Sequence, residues 1–162
     1  MRNTAYLSFV RSGLEYCATI WDPWTDDDTA SLERVQNHAV RWISGYGPRE
    51  KCSVSELRSS LKLDTLQHRR EQARLTLMFK ISKGLVAVAE EDLGLKEQDR
   101  RTRKKGTDRT IKSFKPLPGR LDRRKFSTIN RTVALWNRLP AAVAEIPGSV
   151  DSFKSRLLAQ RP

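Results

Sequence analysis

The amino-acid sequence predicts an all-α fold of about five to six amphipathic helices with one long basic irregular arm, residues 96–125. Three observations lead there. Apolar residues recur at helical spacing through most of the first hundred and the last forty residues or so. Strand-like alternation is confined to Thr110-Ile111-Lys112-Ser113-Phe114. Charge, finally, is segregated. The 162 residues carry a net charge of +12, of which residues 1–95 contribute 0, residues 96–125 contribute +9 and residues 126–162 contribute +3.

The helices are justified in chain order. Leu7, Val10, Leu14, Cys17 and Trp21 fall at helical spacing, weakened at Gly13 and stopped by Pro23. Cys17 on this stripe is expected to be a small core residue. Leu32, Val35, Ala39, Trp42 and Ile43 form the next stripe, with Glu33, Arg34, Asn37 and Arg41 outside it. Asp26, Asp27 and Asp28 precede it, where carboxylates complement exposed N–H groups and the positive end of the helix dipole. Gly45 and Gly47-Pro48 end it. Ser53-Val54-Ser55-Glu56 has capping-box spacing and starts a short helix towards Leu61 or Leu63. A long helix follows, with Asp64 as cap, Leu66, Ala73, Leu77, Met78 and Ile81 in periodic order, and Gly84 at the C′ position. Past the arm, Phe126, Ile129, Val133 and Trp136 make a stripe ended by Pro140. Val150, Phe153 and Leu157 make the last, after Pro147 and the cap candidate Ser149. The expected division is a helical region over 1–95, the arm over 96–125, and a C-terminal helical pair over 126–162 packing back on the first region.

Several functional classes are set aside by composition. No apolar run approaches the roughly 20 residues that span a bilayer. The opening stretch is interrupted by Arg11 and Glu15, unlike a secretory signal. Two cysteines, Cys17 and Cys52, make no disulfide framework, so an intracellular, reduced setting is expected, with the nucleus as a candidate compartment. No repeat of solenoid period is present.

Catalytic and metal signatures are equally scarce. Trp24-Thr25-Asp26-Asp27 superficially matches the Tyr-x-Asp-Asp box of polymerase palms. That box needs an apolar strand before it and a separate upstream carboxylate, because two bridged divalent metals do the chemistry. Here a proline turn precedes and an amphipathic helix follows, so helix capping is the expected role. Cys17, Cys52, His38 and His68 lack the paired close spacings of zinc sites. No phosphate loop, dinucleotide fingerprint or nucleophile elbow occurs. The sequence thus proposes no catalytic residue, no metal and no cofactor. Trp21, Trp42, Trp136 and Phe126 would serve as base-stacking platforms if exposed, but all four lie on apolar stripes. Core packing is therefore expected, most firmly for Trp42 and Trp136.

What remains is the arm. Its basic residues include Arg100, Arg101, Arg103, Lys104, Lys105, Arg109, Lys112, Arg120, Arg123, Arg124 and Lys125, interleaved with Phe114, Leu117 and Phe126. Arginine outnumbers lysine there, 7 to 6, and guanidinium groups suit bidentate phosphate contact. A solvated charge block is one reading of such a run. A phosphate-binding surface is the other, rewarded by counterion release and blind to base sequence.

The ordered segments resemble those of a known family. Leu7-x-x-Val10-Arg11-x-x-Leu14-Glu15-Tyr16-Cys17-x-x-Ile20-Trp21-Asp22-Pro23 is similar to the segment after the palm in reverse transcriptases of jockey-like non-LTR (LINE-type) retrotransposons. Leu32-Glu33-Arg34-Val35-Gln36-x-x-Ala39-Val40-Arg41 follows in the same order, then Leu61-x-Leu63-x-x-Leu66-x-x-Arg69-Arg70, Phe79-Lys80-Ile81 and Lys83-Gly84-Leu85. Towards the end stand Phe126, Arg131, Val133, Leu135-Trp136-Asn137-x-Leu139-Pro140 and Ser152-Phe153-Lys154-x-x-Leu157. The resemblance covers nearly the whole chain, each block being weak alone. One departure is Ser12, where the family often has proline; the terminal cysteine/histidine knuckle of some LINE-type proteins is missing too. The resemblance implies the thumb and C-terminal segment of an RNA-directed DNA polymerase, helical and non-catalytic, with palm and endonuclease lying upstream. It implies RNA–DNA or RNA duplex backbone as partner, gripped without sequence preference, beside a palm supplied by a longer polypeptide. The alternative is a helical protein-interaction module, or a relic of a retrotransposon reading frame without function.

Overall fold

The computed structural model describes residues 1–47, 50–88, 93, 95–101, 110–118, 120–144 and 149–159, with the backbone alone at 96–101, 110–112, 123–124 and 141. The fold is all-α in class, with a two-stranded hairpin inside the basic arm. Packing divides the chain into two compact units, Met1–Glu71 and Gln72–Pro162. Neither charge step, at 95/96 or at 125/126, is a packing boundary.

The first unit begins with a continuous helical run made of α1 (Arg2–Ala5), a π-helical stretch (Tyr6–Arg11) and α2 (Ser12–Glu15). Gly13 lies within it. Ser12 keeps helical angles, φ −57° and ψ −40°, so the position where the resembled family often carries proline is unbent. The interruption comes later, at Tyr16, with ψ 125°, and Cys17, whose φ of 50° is left-handed. A non-glycine residue there costs roughly 1–2 kcal/mol. α3 (Ala18–Trp21) then starts on a new axis. This break undoes the single stripe expected from Leu7 to Trp21. Cys17 is exposed rather than in the core, and Ile20 and Trp21 are exposed as well.

α4 (Asp26–Ser44) starts where the sequence placed it, with Thr25 as N-cap accepting from the Asp28 N–H and the three aspartates in the first turn. Gly45, at φ 82°, closes it with its own N–H and that of Tyr46 turned back to Trp42 and Arg41. Its buried face differs from the expected one. Gln36 and Val40 are fully buried, whereas Val35 and Trp42 are exposed. A polar residue occupies the core because both ends of its amide are satisfied. The Tyr6 hydroxyl donates to Gln36 Oε1 at 2.9 Å, and Gln36 Nε2 donates to the Asp64 carbonyl at 2.7 Å. α5 (Val54–Ser60) is capped by Ser53 on Glu56 N–H. Tyr6, Val40 and Leu63 form the centre of this unit, with Leu7, Ala39, Ile43, Val54, Leu57 and Leu61 packed around.

α6 (Leu66–Ser82) holds the boundary between the units. Its cap is Thr65, which accepts from His68 N–H, and not Asp64, whose carbonyl is taken by Gln36. Ala73, expected inside, is exposed, while Arg70 and Arg74 are buried. Arg70 Nε donates to Asp22 Oδ1 at 2.7 Å, and both side chains are almost fully enclosed. Arg69 reaches Glu15 through two nitrogens, its Nη2 at 2.9 Å from Oε2, and that hydrogen bond holds the guanidinium above its ordinary value.

The second unit is built on an apolar, aromatic centre. Leu75, Met78 and Phe79 of α6 join Leu95, Phe114, Val133, Trp136, Val143, Ala144, Phe153 and Leu157. The elements supplying them include α8 (Thr128–Trp136), capped by Ser127, α9 (Ala141–Ala144) and α10 (Val150–Ala159), capped by Ser149. Phe79 and Phe153 stack at 4.4 Å between centroids, and Trp136 lies 6.1 Å from Phe153 and 6.4 Å from Phe114. Trp136 is thus in the core, as its stripe predicts. Pro147 lies outside the described residues, as does Pro48.

Candidate nucleic-acid interface

The arm is less irregular than its composition suggests. Residues Lys96–Arg101 form β1 and Thr110–Lys115 form β2, paired antiparallel in the register Lys96↔Lys115 through Arg101↔Thr110. Asp99 stands opposite Lys112, and Arg100 opposite Ile111. The brief alternation at Thr110–Phe114 was therefore the true signal of β2. β1 escaped notice because Lys96-Glu97-Gln98-Asp99-Arg100-Arg101 contains no apolar residue.

The pairing is held to the core by β2. Phe114 is fully buried, and Ser113 beside it is buried too. The outer edge of Phe114 is closed by a side chain instead of a third strand: its N–H donates to Asn137 Oδ1 at 3.1 Å, and Asn137 Nδ2 donates to its carbonyl at 2.8 Å. Three residues on, Leu117 makes the same reciprocal pair with Asn130, at 2.7 and 3.1 Å. Asn130 and Asn137 are seven residues apart, two helical turns, so they belong to one face of the helix and its end. Together they act as a clamp on the arm. Sequence reasoning passed over both, although two asparagines at that spacing inside an apolar stripe are a legible sign of buried backbone in need of partners.

The proposed phosphate contacts distribute as follows. Arg100 and Arg101 stand in β1 and Lys112 in β2. Arg123, Arg124 and Lys125 belong to the single turn α7 (Asp122–Lys125). Arg120 and Lys125 are exposed, and Lys125 Nζ lies 5.1 Å from the centroid of the Phe126 ring. Arg103, Lys104, Lys105 and Arg109 lie outside the described residues. Among the described residues, no three His, Cys, Asp or Glu side chains are grouped to hold a metal ion. Asp26 and Asp27 sit exposed in the first turn of α4. No helix of the described residues is long and apolar enough to cross a membrane.

Fold and arm together define a helical protein carrying a cationic hairpin clamped to an aromatic core. Compared with protein-family models, with curated proteins and with solved structures, the chain matches none.

Proposed function

We propose that the chain is a non-catalytic nucleic-acid-binding module that grips duplex phosphates, RNA–DNA or RNA, in the manner of the thumb segment it resembles. The observation that carries this reading is the net charge of +9 confined to residues 96–125. Anchoring supports it. A charge run whose second strand is fixed by Phe114, Asn130 and Asn137 presents its cations from a defined base rather than as a free tail. Phosphate contacts of this type add affinity without base preference, and they release counterions.

Filter binding of an RNA–DNA hybrid tests it. Between about 50 and about 200 mM salt, affinity is expected to fall on the order of 100-fold or more. Replacing Arg120, Arg123, Arg124 and Lys125 by alanine should weaken binding on every sequence and flatten the salt slope. Undetectable binding by the unaltered chain at low salt would sink the reading.

A second reading, a protein-docking module, is favoured by one observation. The stretch from Phe9 to Trp24 exposes Phe9, Tyr16, Ile20, Trp21 and Trp24. Exposed apolar side chains in such number are characteristic of surfaces that meet another protein. A chain that self-associates or precipitates at low micromolar concentration, and binds no nucleic acid, would favour it over the first.

A further inference from the structure

We infer that Trp42 and the Arg2 side chain beside it form a second nucleic-acid site, in the first unit, that takes an unpaired base of a single strand. This rests on the reading above only for the class of ligand. It uses none of the arm's residues.

Trp42 stands out because α4 does not bury it. It is 49% exposed, on a helix whose core face is Gln36 and Val40. Val35, 41% exposed, and the exposed His38 lie at positions seven and four before it, on the same side of the helix. The indole is held rather than loose. The Arg2 guanidinium lies 5.6 Å from its ring centroid, and Arg2 Nη1 donates to the Trp42 carbonyl at 3.0 Å. That bond uses one of five guanidinium donors.

Charge selects the ligand. Arg2, the cation placed on the indole, takes part in none of the ion pairs among the described residues. An apolar protein partner would cover the indole but leave Arg2 without counter-charge. A duplex would supply phosphates but keep its base faces stacked internally. A single strand supplies both, a free π-face for the indole and a flanking phosphate for Arg2. Stacking of this kind tolerates any base.

Fluorescence anisotropy of the full chain with a labelled oligothymidylate and with a duplex of equal length tests this. Trp42→Ala is expected to weaken single-strand binding roughly tenfold while leaving duplex binding within about twofold, and Trp42→Phe, which keeps a π-face, should retain most of the affinity. Unchanged single-strand binding in Trp42→Ala, an equal loss on both probes, or an equal loss in Trp42→Phe would overturn the proposal. The arm variant Arg120→Ala/Arg123→Ala/Arg124→Ala/Lys125→Ala separates the two sites. If it binds both probes as well as the unaltered chain while Trp42→Ala loses the single strand, the arm reading falls and the Trp42 site stands. If the arm variant loses both probes and Trp42→Ala loses neither, the reverse holds.

Discussion

The two units are stabilised by different chemistry. Gln72–Pro162 has eleven buried apolar residues in one cluster, four of them aromatic counting Trp136. Among the described residues of Met1–Glu71 the apolar cluster holds three, Tyr6, Val40 and Leu63, with Ala18 and Leu66 buried outside it, and the unit adds a set of polar links: Tyr6 to Gln36, Gln36 to Asp64, Arg69 to Glu15 and Arg70 to Asp22. Apolar burial is non-directional, so the second unit is fixed by volume and shape. Buried polar links are directional and fail abruptly when one partner goes. The same difference accounts for the surfaces. A unit centred on few apolar side chains leaves others outside, which is why Trp21, Trp24 and Trp42 are exposed in the first unit while Trp136 is buried in the second.

Substitution can break this contrast, most severely at Phe153. It is fully buried, stacked on Phe79 and close to Trp136. Phe153→Ala removes a ring and leaves a cavity, and about 4 kcal/mol of stability should be lost. Hydrogen exchange should rise first in α8 and α10. An even rise across both units would contradict the division drawn here.

Asp22→Ala probes the other chemistry. It leaves Arg70 enclosed without its carboxylate, and a loss of about 3 kcal/mol is expected in urea unfolding. The double replacement Asp22→Leu/Arg70→Met should recover most of that, because removing a whole buried pair is often neutral. If the double variant is as unstable as the single, the ion pair is not the reason the first unit depends on this position.

Much of the helical plan was legible in the sequence, because caps and stops are local. Ser53, Ser149, Gly45 and Gly84 lie at or beside helix ends. Faces were harder. Val35 and Trp42 fit an apolar stripe, yet Gln36 won the core because Tyr6 and Asp64, 30 and 28 residues away, satisfy its amide. Nothing at short range announces such a partner. The same holds for Arg69 and Arg70, whose carboxylates Glu15 and Asp22 lie 54 and 48 residues earlier. In the arm, charge was legible and geometry was not: β1 has no apolar periodicity, and its pairing depends on β2, which depends in turn on Phe114 and the two asparagines.

The finest test of the contrast is Tyr6, where both chemistries meet in one side chain. Burial pushes its phenol up to about 12 from an ordinary 10.0. The folded state therefore favours the neutral phenol, and the associated stability is fully present below the unfolded value near 10 and lost as pH rises towards 12. Tyr6→Phe keeps the ring but leaves Gln36 Oε1 without its donor, so at neutral pH it should cost about 1–2 kcal/mol. Above pH 10 only the unaltered chain gives up the phenol's contribution. The difference between the two chains, measured as urea midpoints, should then narrow between pH 10 and 12, while the common effect of lysine deprotonation cancels. A difference near zero at neutral pH would mean that Tyr6 acts by packing alone, and the first unit would then be closer in kind to the second than its polar links imply.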